Sequence, residues 1–202
     1  LGLGMGQYHA FAIAEVPSAK LIAVCDQDPE RLNPVAEKYG VKGYLSYSEM
    51  LADQDIEAVA ICTESGTHVD RASEAIAAGK HVLVEKPIDV SVDKINRLIQ
   101  AAREANIKIT TVFQSRTLPL NICIKKAVEE GRLGKLFGVH ASLPWYREQS
   151  YYEGPHGAWK GTWALDGGGS LANQGVHTVD LLHFLAGRVT SVMGSFGVFG
   201  HQ

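Results

Sequence analysis

Through the first half of the chain, short apolar runs alternate with stretches whose apolar residues recur every three or four positions. Residues 20–26, 57–62, 81–84 and 108–113 form compact runs rich in Val, Ile and Ala, the signature of buried strands. Between them the helical period predicts helices over 31–39, closed by Gly40, near 48–52, over 69–78, closed by Gly79, and over 91–106, where Ile95, Leu98, Ile99 and Ala102 share one face. Strand and helix in strict alternation predict an α/β architecture, a doubly wound parallel sheet. The pattern then changes. A helix is expected over 121–130, closed by Gly131, then a strand over 136–143. A loop of about 25 residues follows, long enough to suggest a functional segment. A helix capped by Ser170 and stopped by Gly187 comes next, then a strand over 189–199. This second part reads as α+β. The domain boundary is expected at the change of pattern, giving units over 1–116 and 117–202.

The first strand is cut: Leu1-Gly2-Leu3-Gly4 starts in the middle of a strand-to-loop junction, and the chain stops just after a strand-like run. The sequence is therefore expected to be part of a longer chain. Its 202 residues are 46% hydrophobic with a net charge of −3, which gives no footprint for nucleic acid. No apolar run reaches the ~18 residues of a membrane span, and no charged-then-apolar leader opens the chain. Cys25, Cys62 and Cys123 are odd in number and sit in apolar runs, so they are expected to be buried thiols of a reducing, cytoplasmic protein.

Three stretches carry chemistry. Gly2-Leu3-Gly4-Met5-Gly6 is a glycine-rich turn opening a helix, where backbone N–H groups and the helix terminus can take a pyrophosphate. The spacing is shorter than the full dinucleotide fingerprint, but Asp26 lies 20 residues after Gly6, at the end of the next strand. That is the position from which an acid accepts the adenosine ribose hydroxyls, and its charge disfavours a 2′-phosphate, so NAD is expected over NADP. His81-Val82-Leu83-Val84-Glu85-Lys86-Pro87 ends a buried strand in an acid, a base and a proline, which delivers Lys86 to the ligand edge of the sheet. Thr63 to His68 form another such edge loop. Finally, Gly167-Gly168-Gly169 leads into Asn173, His177 and Asp180, spaced to share one helix face. An imidazole there has the intrinsic pKa to move a proton near neutrality. A metal set of His177, Asp180 and His183 is disfavoured because His183 points to another face, so no metal is expected. The six aromatics of the long loop, Trp145, Tyr146, Tyr151, Tyr152, Trp159 and Trp163, read as a wall against a ligand or partner.

In combination these residues resemble the Gfo/Idh/MocA oxidoreductases over essentially the whole chain. The loop from Trp145-Tyr146-Arg147 to Asp166-Gly167-Gly168 resembles the branch containing UDP-N-acetylglucosaminuronate 3-dehydrogenases and related sugar dehydrogenases. The resemblance implies a Rossmann-type nucleotide domain followed by a substrate domain with an antiparallel sheet, here cut short. It implies hydride transfer between NAD and a secondary alcohol of a sugar, sugar nucleotide or cyclitol, in a protein that is a homo-oligomer at full length. It implies Lys86 and His177 as the catalytic pair, with Asn173, Arg116, Arg147, Tyr152 and Trp163 on the substrate. Gly2, Gly4, Met5, Gly6, Asp26, Thr63, His68, Glu85, Lys86, Pro87, Gln114, Trp159 and Lys160 would hold the cofactor. Asn173 stands where many members carry Asp, Glu64 replaces a frequent proline, and Trp159-Lys160 stands where Trp-Arg is usual. The rival readings are an NAD-dependent glycosidase of the same family, which forms no net NADH, and a non-catalytic dinucleotide-binding sensor.

Overall fold

The computed structural model describes residues 1–154 and 157–197. Its first half alternates strand and helix as the apolar pattern predicts. Helix α1 (Leu3–Glu15) is followed by β1 (Ala23–Cys25), α2 (Pro29–Tyr39), β2 (Lys42–Tyr44) and α3 (Tyr47–Ala52). Then come β3 (Ala58–Ile61), α4 (His68–Ala77), β4 (His81–Val84), α5 (Val92–Glu104) and β5 (Ile109–Thr111). The helix limits have local causes. Asp28 accepts from the Glu30 N–H at the start of α2, with Pro29 at its first position, and Gly40 closes it in the left-handed region. Ser46 and Ser91 cap α3 and α5 in the same way.

All strand pairs are parallel, in the orders β1–β2 and β3–β4–β5. Leu1 and Gly2 join the two sheets. The Leu1 nitrogen donates to the Ala60 carbonyl, the Leu1 carbonyl accepts from Cys62 N–H, and Gly2 N–H donates to the Cys25 carbonyl. These residues thus occupy the place of a strand between β1 and β3, the point where the connections reverse and where open α/β sheets bind ligands.

The core follows the pattern. Val59, Ile61, Val82 and Val84 on β3 and β4 pack with Ala72, Ala75 and Ile76 of α4 and with Leu98 and Ala102 of α5. Each fully buried Val, Ile or Leu among them contributes about 1.5–3 kcal/mol, and each Ala less. Leu3, Ala10, Val24 and Leu32 form a smaller cluster under α1 and α2. Among the described residues, the fully buried apolar side chains all lie at or before Ala102.

The second part differs from expectation. Helix α6 (Pro119–Glu129), the short α7 (Trp163–Asp166) and α8 (Val176–Ala186) form. The strands expected over 136–143 and 189–199 do not, among the described residues; the last two positions of the second lie outside them. A strand exists only with a ladder partner, and no described segment pairs with either. Phe137 and Met193 are fully exposed there. No antiparallel pairing is present among the described residues. Ser170 does not cap a helix: Gly169 precedes a π-helical turn, Ser170–Gly175, that runs into α8. Cys123 is exposed rather than buried.

Polar ties and one close approach hold this part to the sheet. Arg116 donates to both Asp180 oxygens, at 2.8 and 2.5 Å, linking the turn after β5 to α8. Gly66, in the turn after β3, lies against α7 so closely that a Cβ there would be 2.1 Å from the Ala164 carbonyl oxygen. Within the sheet unit, His9 of α1 reaches Glu85 at the end of β4, Nε2 to Oε1 2.8 Å. The neighbouring Cys62 side chain and this carboxylate push His9 up to about 10.

Two predictions follow from these ties. Gly66→Ala must displace α7, because the clashing atoms are backbone, and a loss on the order of 1–3 kcal/mol is expected. Urea unfolding followed by tryptophan fluorescence measures it, and an unchanged midpoint would show that α7 does not rest on this turn. For His9 the folded pKa lies above the unfolded 6.5, so its stabilisation is complete below about pH 6.5 and is lost as pH rises toward about 10. His9→Gln should therefore lower the melting temperature clearly at about pH 6 and hardly at all above about pH 10. Equal losses at both would mean that the imidazolium contributes nothing.

Candidate active site

A crevice of about 1070 Å³ runs along the carboxyl edge of the sheet. At one end are the glycine turn and Asp26; at the other are Lys86, Asn173 and His177. Arg147, Tyr151, Trp159 and Lys160 from the aromatic loop form the facing wall.

The first turn of a helix leaves its N–H groups without intrahelical acceptors. In α1 the Leu3 N–H donates to Asp26 Oδ2 at 2.6 Å and the Gly6 N–H to the Gly2 carbonyl, which leaves Gly4 and Met5, both on the crevice wall. A Cβ at Gly4 would meet nothing nearer than Arg31 at 4.0 Å, so the backbone is open to a ligand. Gly2 has a different task. Its φ is +81°, and a Cβ would sit 2.7 Å from the Cys62 carbonyl oxygen, so only glycine lets this turn cross β3. These free N–H groups fit the diphosphate of a dinucleotide. Asp26 is buried and already accepts from Leu3 and, through Oδ1, from Asp28 N–H at 2.9 Å. A carboxylate has further lone pairs, and Asp26 lines the crevice, so ribose hydroxyls can still reach it.

Lys86 stands at the far end, joined to Pro87 by a cis peptide. Its Nζ donates to the Asn173 carbonyl at 2.9 Å and lies 3.5 Å from Asn173 Oδ1. Burial pulls the lysine below its ordinary value, with Glu85 and Asp166 opposing. Glu85 feels burial upward, but its bonds from His9 and from the Lys86 N–H outweigh this and hold it low. His177 is lowered by burial and then by the Lys86 charge. Its Nδ1 is buried without a hydrogen-bond partner, and the ring meets Phe113 edge-on at 6.3 Å. An unpaired nitrogen in a crevice wall is in a position to bond a polar group of a ligand. The Arg147 guanidinium lies over Trp145 at 4.5 Å and over Tyr151 at 4.9 Å, and Lys160 Nζ lies 3.7 Å from the Tyr151 centroid.

Of the residues singled out in the sequence, Gly2, Gly4, Met5, Asp26, Thr63, His68, Glu85, Lys86, Gln114, Arg147, Trp159, Lys160, Asn173 and His177 line this one crevice. The others do not. Gly6 is on the buried face of α1, facing Cys62. Pro87 contributes its carbonyl to His68 Nδ1 at 2.7 Å, and the other nitrogen of that buried ring faces the Thr63 carbonyl, so His68 ties two edge loops together. Arg116 is committed to Asp180, which removes both from the site although Asp180 was expected on the Asn173 face. Tyr152 lines a side pocket of about 190 Å³ instead, and Trp163 is 69% exposed, stacked edge-on against Phe196. Tyr151 lines it as part of the expected aromatic wall, and Gln27, Arg31, Arg71 and Gln174 line it without having been foreseen. Among the described residues no three His, Cys, Asp or Glu side chains converge as metal ligands, and no helix is long and apolar enough to cross a membrane.

Comparison with known proteins gives this geometry a lineage. Residues 1–113 match the family model described as "Oxidoreductase family, NAD-binding Rossmann fold", and residues 123–202 match "GFO/IDH/MocA C-terminal domain". The inositol 2-dehydrogenase of Rhizobium meliloti is 32% identical over 137 residues, covering 67% of this chain and 41% of its own. The scyllo-inositol 2-dehydrogenase (NAD(+)) of Bacillus subtilis is 30% identical over 201 residues, covering 96% and 55%. The chain thus spans about half the length of the curated relatives it matches. Among solved structures, the WlbA dehydrogenase of Bordetella pertussis, in complex with NADH and UDP-GlcNAcA, superposes with a TM-score of 0.93 at 35% identity, over all of this chain and 62% of that one. With the nucleotide-binding model over more than half of its length and the C-terminal model over most of the rest, the chain belongs to the Gfo/Idh/MocA oxidoreductase family.

Proposed function

We propose that this chain forms the nucleotide site and the reaction centre of an NAD-dependent dehydrogenase that acts on a secondary alcohol of an anionic sugar, with Lys86 and His177 as its catalytic residues. The observation that carries the reading is that both line the same crevice as the glycine turn and Asp26. When bound, the nicotinamide accepts or returns the hydride. The chain's own residues handle the proton and the charge. His177 is held below its ordinary value and is therefore neutral near pH 7, ready to take the hydroxyl proton. Lys86 carries only donors, so it orients the hydroxyl oxygen and stabilises the charge that grows there. Asn173 fixes Lys86 from the far side.

Substrate charge separates two versions of this reading. Among the described residues Arg147 has no carboxylate partner, being stacked on aromatic faces instead, and with Lys160 it leaves positive potential facing the crevice. That favours a sugar nucleotide or uronate over a neutral cyclitol such as those named for the inositol dehydrogenases. The sugar nucleotide bound by the WlbA dehydrogenase is the natural first probe.

The protein assayed with NAD should form NADH faster with UDP-GlcNAcA than with scyllo-inositol; the reverse order would sink the anionic-substrate reading. Lys86→Met should lower kcat by about 10²- to 10⁴-fold while leaving NAD affinity nearly unchanged. Because the Lys86 charge helps to depress His177, the same substitution should raise the His177 titration midpoint followed by NMR. A midpoint that does not move would mean that the two groups do not share one site.

A further inference from the structure

The amide at position 173 poses a problem for the chemistry above, since an amide brings no charge to the lysine it touches. The structure places the charge one hydrogen bond further away. Asp166, at the end of α7, is 1% exposed. Its Oδ1 accepts from Asn173 Nδ2 and its Oδ2 from the Gly161 N–H at 2.7 Å. A carboxylate can only accept, so this contact fixes which way the amide faces. Asn173 turns its NH₂ to Asp166 and its Oδ1 toward Lys86, where it also accepts from Gln174 Nε2 at 3.0 Å.

We propose that Asp166 is a positioning residue of the reaction centre: through Asn173 it supplies the negative charge that holds the Lys86 ammonium in place. The proposal rests on reading Lys86 as the catalytic cation. A buried carboxylate without a cation is costly, and Lys86, reached across one amide, and Lys160 in the adjoining wall are the cations that sense it. The amide between them is polarised from both ends, which strengthens both bonds. Glu85 is the larger of the two charges that oppose the burial of Lys86, and Asp166 is the second. Glu85 is engaged by His9 and by the Lys86 backbone N–H, and His177 repels the ammonium when protonated. Asp166 also sits on α7, which packs against the turn after β3 at Gly66, so the charge is delivered from outside the sheet itself.

The experiment compares Asp166→Asn with the exchanged pair Asp166→Asn/Asn173→Asp. Asparagine keeps the volume and an acceptor for Asn173 Nδ2 but gives up the bond from the Gly161 N–H, whereas in the exchanged pair the amide at position 166 can donate to the carboxylate at position 173 and accept from Gly161, so the pair separates charge from that lost bond. The readout is the rate at which trace acetic anhydride labels Lys86, followed by peptide mass spectrometry across pH on the protein without cofactor. This requires no turnover, so it succeeds or fails separately from the dehydrogenase reading. In Asp166→Asn the ammonium loses a stabilising charge, and labelling near pH 8 should rise by about tenfold, the equivalent of one pKa unit. The exchanged pair moves the carboxylate next to Lys86 and should return labelling to the wild-type rate or below. In an NAD assay with UDP-GlcNAcA, the single variant should lose kcat and the pair should regain it. Wild-type labelling in a folded Asp166→Asn protein overturns the proposal. If the single variant does not fold, the pair alone decides: wild-type labelling or slower supports the role, and faster labelling overturns it.

Discussion

The contact between the Lys86 ammonium and Asn173 is the constraint on which the site depends. On one side of it is a rigid platform. Strand β4 is laddered to β3 and β5 on both sides, so the residue that follows it has little freedom. On the other side is a π-helical turn that breaks the regular helical register just before α8. Such turns are uncommon and concentrate at functional sites. Here the turn lets Asn173 point its carbonyl and its amide oxygen at the same cation, while His177 lies in the first turn of the α-helix that follows. One bond therefore joins the end of the sheet to the helix that brings the imidazole.

Charges alternate away from that contact. His9, Glu85, Lys86 and Asp166 follow one another as cation, anion, cation and anion, each half-buried or buried and each with a named neighbour. His177 stands at the side and, pressed by burial and by Lys86, gives up its proton more readily than a free imidazole. The environment thus divides the labour. Burial pulls the lysine down while Glu85 and Asp166 push it back, and burial together with the Lys86 charge holds the histidine low. Environments that drive neighbouring groups apart in pKa are how one site provides both a proton acceptor and a charge stabiliser at neutral pH.

Most of the platform was legible because parallel strands buried on both faces are continuous apolar runs, and Gly40 and Gly79 mark helix ends by their conformation. Strand β2 was missed because Lys42-Gly43-Tyr44 is short, polar and at the sheet edge, with no run to read. The strands expected over 136–143 and 189–199 had the right composition, but composition does not provide a ladder partner. In the site, Lys86, Asn173 and His177 were legible because motif and spacing placed them on the ligand edge. Arg116 was not, because the sequence does not reveal that Asp180 lies within reach 64 residues away. Asp166 was quoted only as part of a loop. Its one signal is a place before three glycines with positive φ, which lets the chain fold back so that its carboxylate meets Asn173.

The two parts of the chain are held by different physics, and this bears on how the site works. The sheet unit rests on apolar burial, which is large and tolerant of direction. The later segment contributes no fully buried apolar side chain among the described residues, and it is tied down by the Arg116–Asp180 pair, the Lys86–Asn173 bond and the Gly66 approach. Hydrogen bonds of this kind are worth about 1 kcal/mol each, more when charged, but they vanish within an ångström or two of misplacement. The nucleotide platform can therefore tolerate many substitutions, whereas Lys86, Asn173, Asp166 and His177 stay in register only while every tie is intact. Precision at the reacting end is bought with directional contacts, and those same contacts carry the charge on which the proposed chemistry draws.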